Sequence, residues 1–475
     1  MTLNTSPGTE AHSATFSGLA LTPEMLANLD QMGLKRMTAI QAASLPLSLQ
    51  GRDVMAQAST GSGKTVAFAL PLVSRLQPQT THAQALVLCP TRELADQVAQ
   101  EIRKVARARP NTKVVTLCGG VALRGQIQSL QHGADVIVGT PGRIGDHLER
   151  GTLELRGVKT VVLDEADRML DMGFFDDIAD VVRRCPEQRQ TLLFSATYPE
   201  GIGQLAAQFM RDPHTVKVES QHTAKKIRQW MVQVDEHQRL DAVVQLLGHY
   251  QPRSALAFCN TKQQCRDLLA VLQAHGVAAL ALFGELEQRE RDQVLIQFAN
   301  RSCSVLVATD VAARGLDVDD IEAVINVDVT PDPEVHIHRV GRTGRADADG
   351  LAVTLVSMDE MGWVGKIELM QGRESEWQEL SAMTPKAGGI PQPPMVTLQL
   401  AAGRKEKIRP GDVMGALGAE AGLTRDEVGK ISVNDFSTYV AVKREVAHKA
   451  LKALNQGRIK GKSVKARFLS DDTER

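Results

Sequence analysis

Residues 53–76 read DVMAQASTGSGKTVAFALPLVSRL. A short apolar run beginning at Asp53 leads into a glycine-rich loop, Ala58 to Thr65, and then into an apolar stretch, Val66 to Leu76, that continues as a helix. Strand, loop and helix in that order make a phosphate cradle, because backbone N–H groups of the loop and of the helix N-terminus point at the anion. Gly61 and Gly63 let the backbone approach, with Ser59 and Ser62 between and beside them. Lys64 is placed to reach the β and γ phosphates, and the Thr65 hydroxyl to ligate Mg²⁺. Ala58 stands where the usual pattern opens with Gly.

Working outward, short apolar runs alternate with helix-period stretches through the first 360 or so residues, as at Ala85–Cys89, Asp135–Val138, Thr160–Leu163 and Thr191–Phe194. The rhythm resumes after Trp230, at Ser254–Cys259, Ser304–Ala308, Ala323–Asn326 and Leu351–Val356. Two such series predict two parallel sheets, each covered by helices on both faces. The polar, partly basic segment 213–228 is expected as the linker between them, and 373–394, with its TPKAGGIPQPP run, as a second linker. The expected boundaries are a disordered N-terminus over 1–15, domains over 16–212 and 229–372, and a module over 395–475. That module alternates as βαββαβ, the order of a small RNA-recognition-type sheet.

The chain has 475 residues, 43% of them hydrophobic and 23% charged, with a formal net charge of −1. That composition excludes fibrous and intrinsically disordered classes. The near-neutral total hides a basic tail, since residues 404–475 carry 16 basic and 10 acidic side chains. The six cysteines form no C-x-x-C pair, so neither a disulfide framework nor a zinc site is expected. No apolar run approaches the roughly 20 residues that span a bilayer, and the first residues lack a leader pattern. A cytoplasmic protein without a membrane partner is expected.

About a hundred residues after the glycine-rich loop, the run TVVL ends in Asp164, Glu165, Ala166 and Asp167. Carboxylates at the end of a buried strand need a counter-charge. A magnesium ion held through Asp164 supplies one, and Glu165 is then placed to activate the attacking water in phosphoryl transfer. With GSGKT upstream and Ser195–Ala196–Thr197 downstream, this DEAD sequence resembles the DEAD-box RNA helicases. The resemblance implies two RecA-like domains in tandem, ATP and Mg²⁺ as cofactors, and RNA as partner. It extends over roughly residues 16 to 360.

By that resemblance, Thr38 and Gln41 read adenine and Phe16, 17 residues before Gly33, packs on the base. Met37 stands where the family usually has Pro. Pro90, Thr91 and Arg92, Gly119 with Gly120, and Thr140, Pro141 and Arg143 resemble the segments that grip one RNA strand. Ser195 and Thr197 are the coupling residues between hydrolysis and strand separation. In the second domain, Asn260, Thr261, Thr309 and Asp310 are implied RNA contacts, and Gly315 and Asp317 approach the nucleotide sugar. Arg342 and Arg345 are implied arginine fingers. Three arginines within seven residues, Arg339, Arg342 and Arg345, are costly to bury unpaired, and an anionic phosphate would compensate them. His336 occupies a place where the family often has Tyr.

The tail resembles the RNA-binding domain of the bacterial DEAD-box protein A (DbpA) group, which acts on large-subunit ribosomal RNA. Tyr439 is the expected stacking residue, with Phe436 read as core, and Lys460, Lys462 and Lys465 are the expected phosphate contacts. The function expected from all this is a monomeric ATP-dependent RNA helicase that separates short duplexes and is addressed by its tail to ribosomal RNA in pre-ribosomal particles. The alternative reading is an ATP-gated RNA clamp or general RNA chaperone with little unwinding. A DNA helicase of similar build is disfavoured by the combination of DEAD, SAT and Gln41.

Overall fold

The computed structural model describes residues 14–58, 62–77, 82–198, 200–218, 227–313, 321–344 and 349–469. The chain forms two compact units, the first carrying one sheet and the second carrying another sheet together with the tail.

Seven parallel strands make the first sheet: β1 Val54–Gln57, β2 Ala85–Leu88, β3 Val114–Leu117, β4 Val136–Gly139, β5 Thr160–Asp164, β6 Gln190–Ser195 and β7 His214–Lys217. Their spatial order is β3-β4-β2-β5-β6-β1-β7. Successive residues of each strand feed opposite faces. Val87, Val138, Val162 and Phe194 join one apolar cluster, while Leu86, Ile137, Val161 and Leu193 join another. Burial on both faces is why these strands read as continuous apolar runs. Where β3 and β4 adjoin, a Cβ on Gly139 would lie 2.1 Å from the Leu117 carbonyl oxygen, so only glycine fits.

The second sheet, again all parallel, comprises β8 Ile227–Gln233, β9 Ala255–Phe258, β10 Ala279–Leu282, β11 Val305–Ala308, β12 Ala323–Asn326, β13 Gly350–Val356 and β14 Trp377–Gln378, in the order β10-β11-β9-β12-β13-β8-β14. The tail adds β15 Met395–Leu400, β16 Val428–Val433, β17 Thr438–Lys443 and β18 Ala466–Phe468, an antiparallel sheet in the order β16-β17-β15-β18. Helices Pro410–Ala421 and Ala447–Gln456 pack on one face of it against Leu398, Leu400, Val440 and Val442. Two RecA-like parallel-sheet domains and a small α+β module are therefore present, as the sequence predicts.

The linkers differ from expectation. Residues 214–217 of the first expected linker are β7, paired along β1, and 227–228 begin β8. Thr15, placed in a disordered N-terminus, bridges to Arg36. The second expected linker is a strap rather than a tether. Its β14 extends the second sheet beside β8, Met383 is buried in that domain's core, and the Lys386 amide donates to Gly248 O at 3.0 Å. Gln245 and Gln251 donate to the carbonyls of Met383 and Gly389. Proline and glycine exclude regular structure from this run, yet its Met383 and Gly389 carbonyls are satisfied by side chains of the helix Arg239–Tyr250 and its C-cap Gln251. Beyond it, Asn300 and Ser302 bond the Thr397 hydroxyl at 3.0 and 2.7 Å, which fixes the tail sheet to the second domain.

A tether and a strap exchange hydrogen differently. The amides of Met231, Lys386 and Met395, bonded to Glu376, Gly248 and Arg301 carbonyls, should exchange far more slowly than those of an unstructured peptide when the intact protein is followed by hydrogen–deuterium exchange. Exchange at the free-peptide rate across 377–394 would restore the tether.

Candidate nucleotide and RNA site

Because all strands of the first sheet are parallel, every loop leaving a strand's carboxyl end emerges on one edge. The spatial order sorts these loops. The phosphate loop follows β1, the acidic motif β5 and the Ser195–Thr197 turn β6, three adjacent strands. The expected RNA loops follow β2, β4 and β3, also adjacent. One edge thus gathers the expected nucleotide loops on one half and the expected RNA loops on the other, at the carboxyl ends where open α/β sheets bind ligands.

In the nucleotide half, the helix Lys64–Ser74 begins after Gly63, whose φ of 88° is left-handed. A Cβ there would meet Gln41 Nε2 at 2.6 Å and Thr38 Oγ1 at 2.9 Å. Gln41, itself buried, accepts from Thr38 N at 2.9 Å and donates to Gly63 O at 3.0 Å. Its amide keeps one further donor and one further lone pair, enough for a bidentate contact with adenine. Phe16 is 4% exposed within the apolar core, so it is a packed wall rather than a free stacking face. The Lys64 ammonium is buried and has no hydrogen-bond partner, and the same holds for Asp164 Oδ1. Burial pushes the Asp164 carboxyl up to about 7, against the pull of Lys64. A buried ammonium and a buried carboxylate oxygen, both unsatisfied, fit a site shaped for phosphate and a divalent cation. Thr65 is half-buried on the first turn of the helix. Ser59 and Gly61 lie outside the described residues.

Glu165 has φ 50°, unusual for a residue with a Cβ. Its Oε2 lies 2.8 Å from Arg168 Nη1, an ion pair whose angles do not make a hydrogen bond. The group that the sequence reading passed over is Asp167. Its Oδ2 accepts from Ala196 N at 3.0 Å, Thr197 N at 2.8 Å and Thr197 Oγ1 at 3.0 Å. Ser195 Oγ accepts from Asp167 N at 3.3 Å, Ala58 N donates to Ser195 O, and Gln57 Nε2 to Ala196 O. The ends of β1, β5 and β6 are therefore joined. Acid and turn are about thirty positions apart in sequence, so only the strand pairing reveals the contact.

In the RNA half, Thr91 caps the helix Arg92–Val105 through Leu94 N. Pro90 and Arg92 flank it, and Pro141 opens the helix Pro141–Glu149 after Thr140. Gly120 is left-handed and exposed beside Gly119. Arg143 is partly committed, donating to Val121 O at 3.0 Å and Gln126 Oε1 at 3.2 Å. Gln126 also bonds Cys118 O and the buried His147, so an internal network holds these loops together.

In the second domain, Asn260 and Thr261 follow β9, and Thr309 and Asp310 follow the neighbouring β11. Arg339, 1% exposed, reaches both Asp310 oxygens at 2.6 Å, Asn260 Oδ1 at 2.8 Å and Asp328 O at 2.9 Å. Its charge is balanced by Asp310, which corrects the expectation that a phosphate compensates all three arginines. Asn260 is spent similarly, since its Nδ2 donates to Val329 O. Arg342 is buried just after the helix Pro333–Val340. Gly315, Asp317 and Arg345 lie outside the described residues.

Comparison with known proteins bears on this arrangement directly. Residues 38–205 match the DEAD/DEAH box helicase family model, 238–347 the helicase conserved C-terminal domain, and 397–468 the DbpA RNA binding domain. The chain is 48% identical to the ATP-dependent RNA helicase DbpA of Escherichia coli over 455 residues, covering 96% of this chain and 99% of that protein. It belongs to the DEAD-box ATP-dependent RNA helicases, in the DbpA group. The CshA helicase of Geobacillus kaustophilus is 44% identical over 76% of this chain and 78% of its own. Among solved structures, Saccharomyces cerevisiae Dbp5 bound to RNA and ADP BeF3 matches with a TM-score of 0.70 and 31% identity, over 77% of this chain and 96% of that one.

In this DEAD-box helicase the tail sheet departs from the expected stacking surface. Tyr439 lies on the sheet face opposite the helices, in register with Gln399, but is 2% exposed. Thr397 on the same face is bonded to the second domain, and Gln399 donates to Tyr439 Oη at 3.4 Å. Phe436, expected in the core, is instead 71% exposed on the β16–β17 turn. Of the three lysines, Lys460, though exposed, is paired: its Nζ bonds Asp412 Oδ2 at 3.0 Å and Lys407 O at 2.8 Å. Lys462 and Lys465 are exposed.

The Asp167 contact makes a stability prediction. Asp167→Ala leaves the three donors on Oδ2, and Arg168 N on Oδ1, without their acceptor and should lower the stability of the first domain by on the order of 3 kcal/mol, whereas Thr197→Val, which removes one donor, should cost about 1 kcal/mol. Urea unfolding of the two variants measures the difference, and equal losses would contradict the geometry.

Proposed function

We propose that the ATP-dependent RNA helicase described above works by dividing catalysis between its two RecA-like domains and uses its tail to select large-subunit ribosomal RNA during ribosome assembly in the cytoplasm. The observation that carries the catalytic part is the pair of unsatisfied buried groups, Lys64 Nζ at the start of the helix after β1 and Asp164 Oδ1 at the end of β5. Lys64 and the backbone of the phosphate loop bind the β and γ phosphates, and Gln41 with Thr38 reads adenine. Thr65 and Asp164 would hold Mg²⁺, which neutralises charge on the phosphate oxygens when bound. Glu165 orients and deprotonates the attacking water. Arg342 and Arg345 stabilise the charge of the transition state from the second domain.

Because the acids and the arginines belong to different domains, hydrolysis requires the domains to close on ATP and RNA together. The loops at Pro90–Arg92, Gly119–Gly120 and Thr140–Arg143, with Thr261 and Thr309, hold one strand of a short duplex. Closure bends that strand, and phosphate release reopens the protein. The Asp167 grip on Ser195–Thr197 makes the nucleotide half respond as one body, and closure of the domains couples that response to the RNA strand. The chain acts as a monomer.

Support for the ribosomal address is the DbpA RNA binding domain match over 397–468 together with a basic tail. Since Tyr439 is buried, recognition falls to the exposed loops, with Lys462 and Lys465 on phosphates and Phe436 available for a base.

Two experiments test this assignment. Lys64→Ala should lose ATP binding and turnover together, while Glu165→Gln should bind ATP and retain RNA without turning over; normal steady-state hydrolysis in either variant would remove the site. For the tail, Lys462→Gln with Lys465→Gln should flatten the salt dependence of target binding by about 1.5 in the log–log slope. Lys460→Gln should act chiefly by freeing Asp412, with little change in slope. A chain ending at Pro394 should keep RNA-stimulated ATPase but show no preference for ribosomal over unrelated RNA at matched salt.

A further inference from the structure

The second domain contains a cavity of about 250 Å³ whose lining includes none of the residues assigned above to nucleotide or RNA. It lies where β8 and β13 meet the helix Pro333–Val340 and the turn after the helix Met361–Gln371. His336, Val340, Ala352 and Thr354 line it from the helix and β13, and Gln229 and Gln371 from β8 and the end of the second helix. His336 is 1% exposed, and neither of its ring nitrogens has a hydrogen-bond partner.

Burial, with Arg339 and Arg373 nearby, pulls the His336 imidazole down to about 4, so at neutral pH it is uncharged and offers one donor and one acceptor. The Gln229 and Gln371 amides meet at only 3.5 Å and likewise offer both kinds of group. At the mouth, Arg228 and Arg373 are accompanied by Glu374 and Glu376, so no net charge is favoured there. An occupant that satisfies these groups is uncharged and presents a donor and an acceptor along one edge. The volume leaves room for a planar ring.

We propose that this cavity binds a nucleobase, either as a free nucleoside or as a base of bound RNA. Its polar groups converge from separate elements on a small volume, as in specific small-molecule sites. The half-buried Gln229 and Gln371 amides pair with the edge of the base, which lies against the buried His336 ring.

The test uses the full chain saturated with a non-hydrolysable ATP analogue, so that the nucleotide site is occupied. Adenosine, guanosine, cytidine and uridine are titrated separately, and a single-stranded RNA hexamer in parallel, while histidine side-chain resonances are followed by NMR. The His336 signal is identified by its loss in His336→Phe. At least one probe should shift it saturably. Response to nucleosides alone identifies a free ligand, and response to the hexamer alone identifies a base of RNA. Ala352→Leu fills the cavity from β13 without removing His336 and should abolish the shift in a protein whose melting curve remains cooperative. Gln371→Ala, at the half-exposed edge, should weaken binding by about threefold to tenfold if Ala352→Leu does not fold. The proposal is overturned if no probe shifts His336, if the shift persists in Ala352→Leu, or if Gln371→Ala binds as tightly as the parent.

Discussion

One carboxylate oxygen, Oδ2 of Asp167, receives three hydrogen bonds from the turn that follows β6. Much else depends on that contact. It ties the strand end that carries Asp164 and Glu165 to the strand end that carries Ser195 and Thr197, and the latter is bonded in turn to Ala58 and Gln57 before the phosphate loop. The three strand ends form a single hydrogen-bonded body. A change in what the phosphate loop and acids hold is therefore felt by the turn, because a buried charged acceptor with three donors resists partial rearrangement.

Strand order supplies the other half of the arrangement. With all seven strands parallel, β5 stands in the middle, with the nucleotide loops on one side and the RNA loops on the other. The network of Gln126, Arg143 and His147 stiffens the RNA side as Asp167 stiffens the nucleotide side. In the second domain Arg339 serves the same purpose, linking the loops after β9, β11 and β12 through Asn260, Asp310 and Asp328. Two buried, hydrogen-bonded charges, Asp167 and Arg339, thus hold loops together, while two buried groups without partners, Lys64 Nζ and Asp164 Oδ1, lie where ligand would pair them.

Much of this was legible in the sequence for a local reason. A strand, a glycine-rich loop and a helix are consecutive, so ASTGSGKT announces its own context, and DEAD at the end of an apolar run does the same. That the small hydroxyls of Ser195–Thr197 can bond the acidic loop is legible from their size and polarity, but Asp167 as the acceptor, with two backbone amides besides, arises from strand pairing between distant segments. The strap over 373–394 was hidden for another reason: its two-residue strand has no period, and prolines that exclude a helix say nothing about docking. Tyr439 misled because alternation along β17 gives the face on which a residue stands, not whether that face is covered. Lys460 likewise counted as a free charge until Asp412, forty-eight positions upstream, was seen against it.

The claim that the two halves of the edge act as one is a claim about coupled binding, and coupling is reciprocal. The direct measurement is the affinity of the intact protein for a short single-stranded RNA with and without a non-hydrolysable ATP analogue, and of the analogue with and without that RNA. The account predicts that each ligand tightens the other, by the same factor in both directions. RNA affinity that is indifferent to the analogue, with analogue affinity indifferent to RNA, would contradict it.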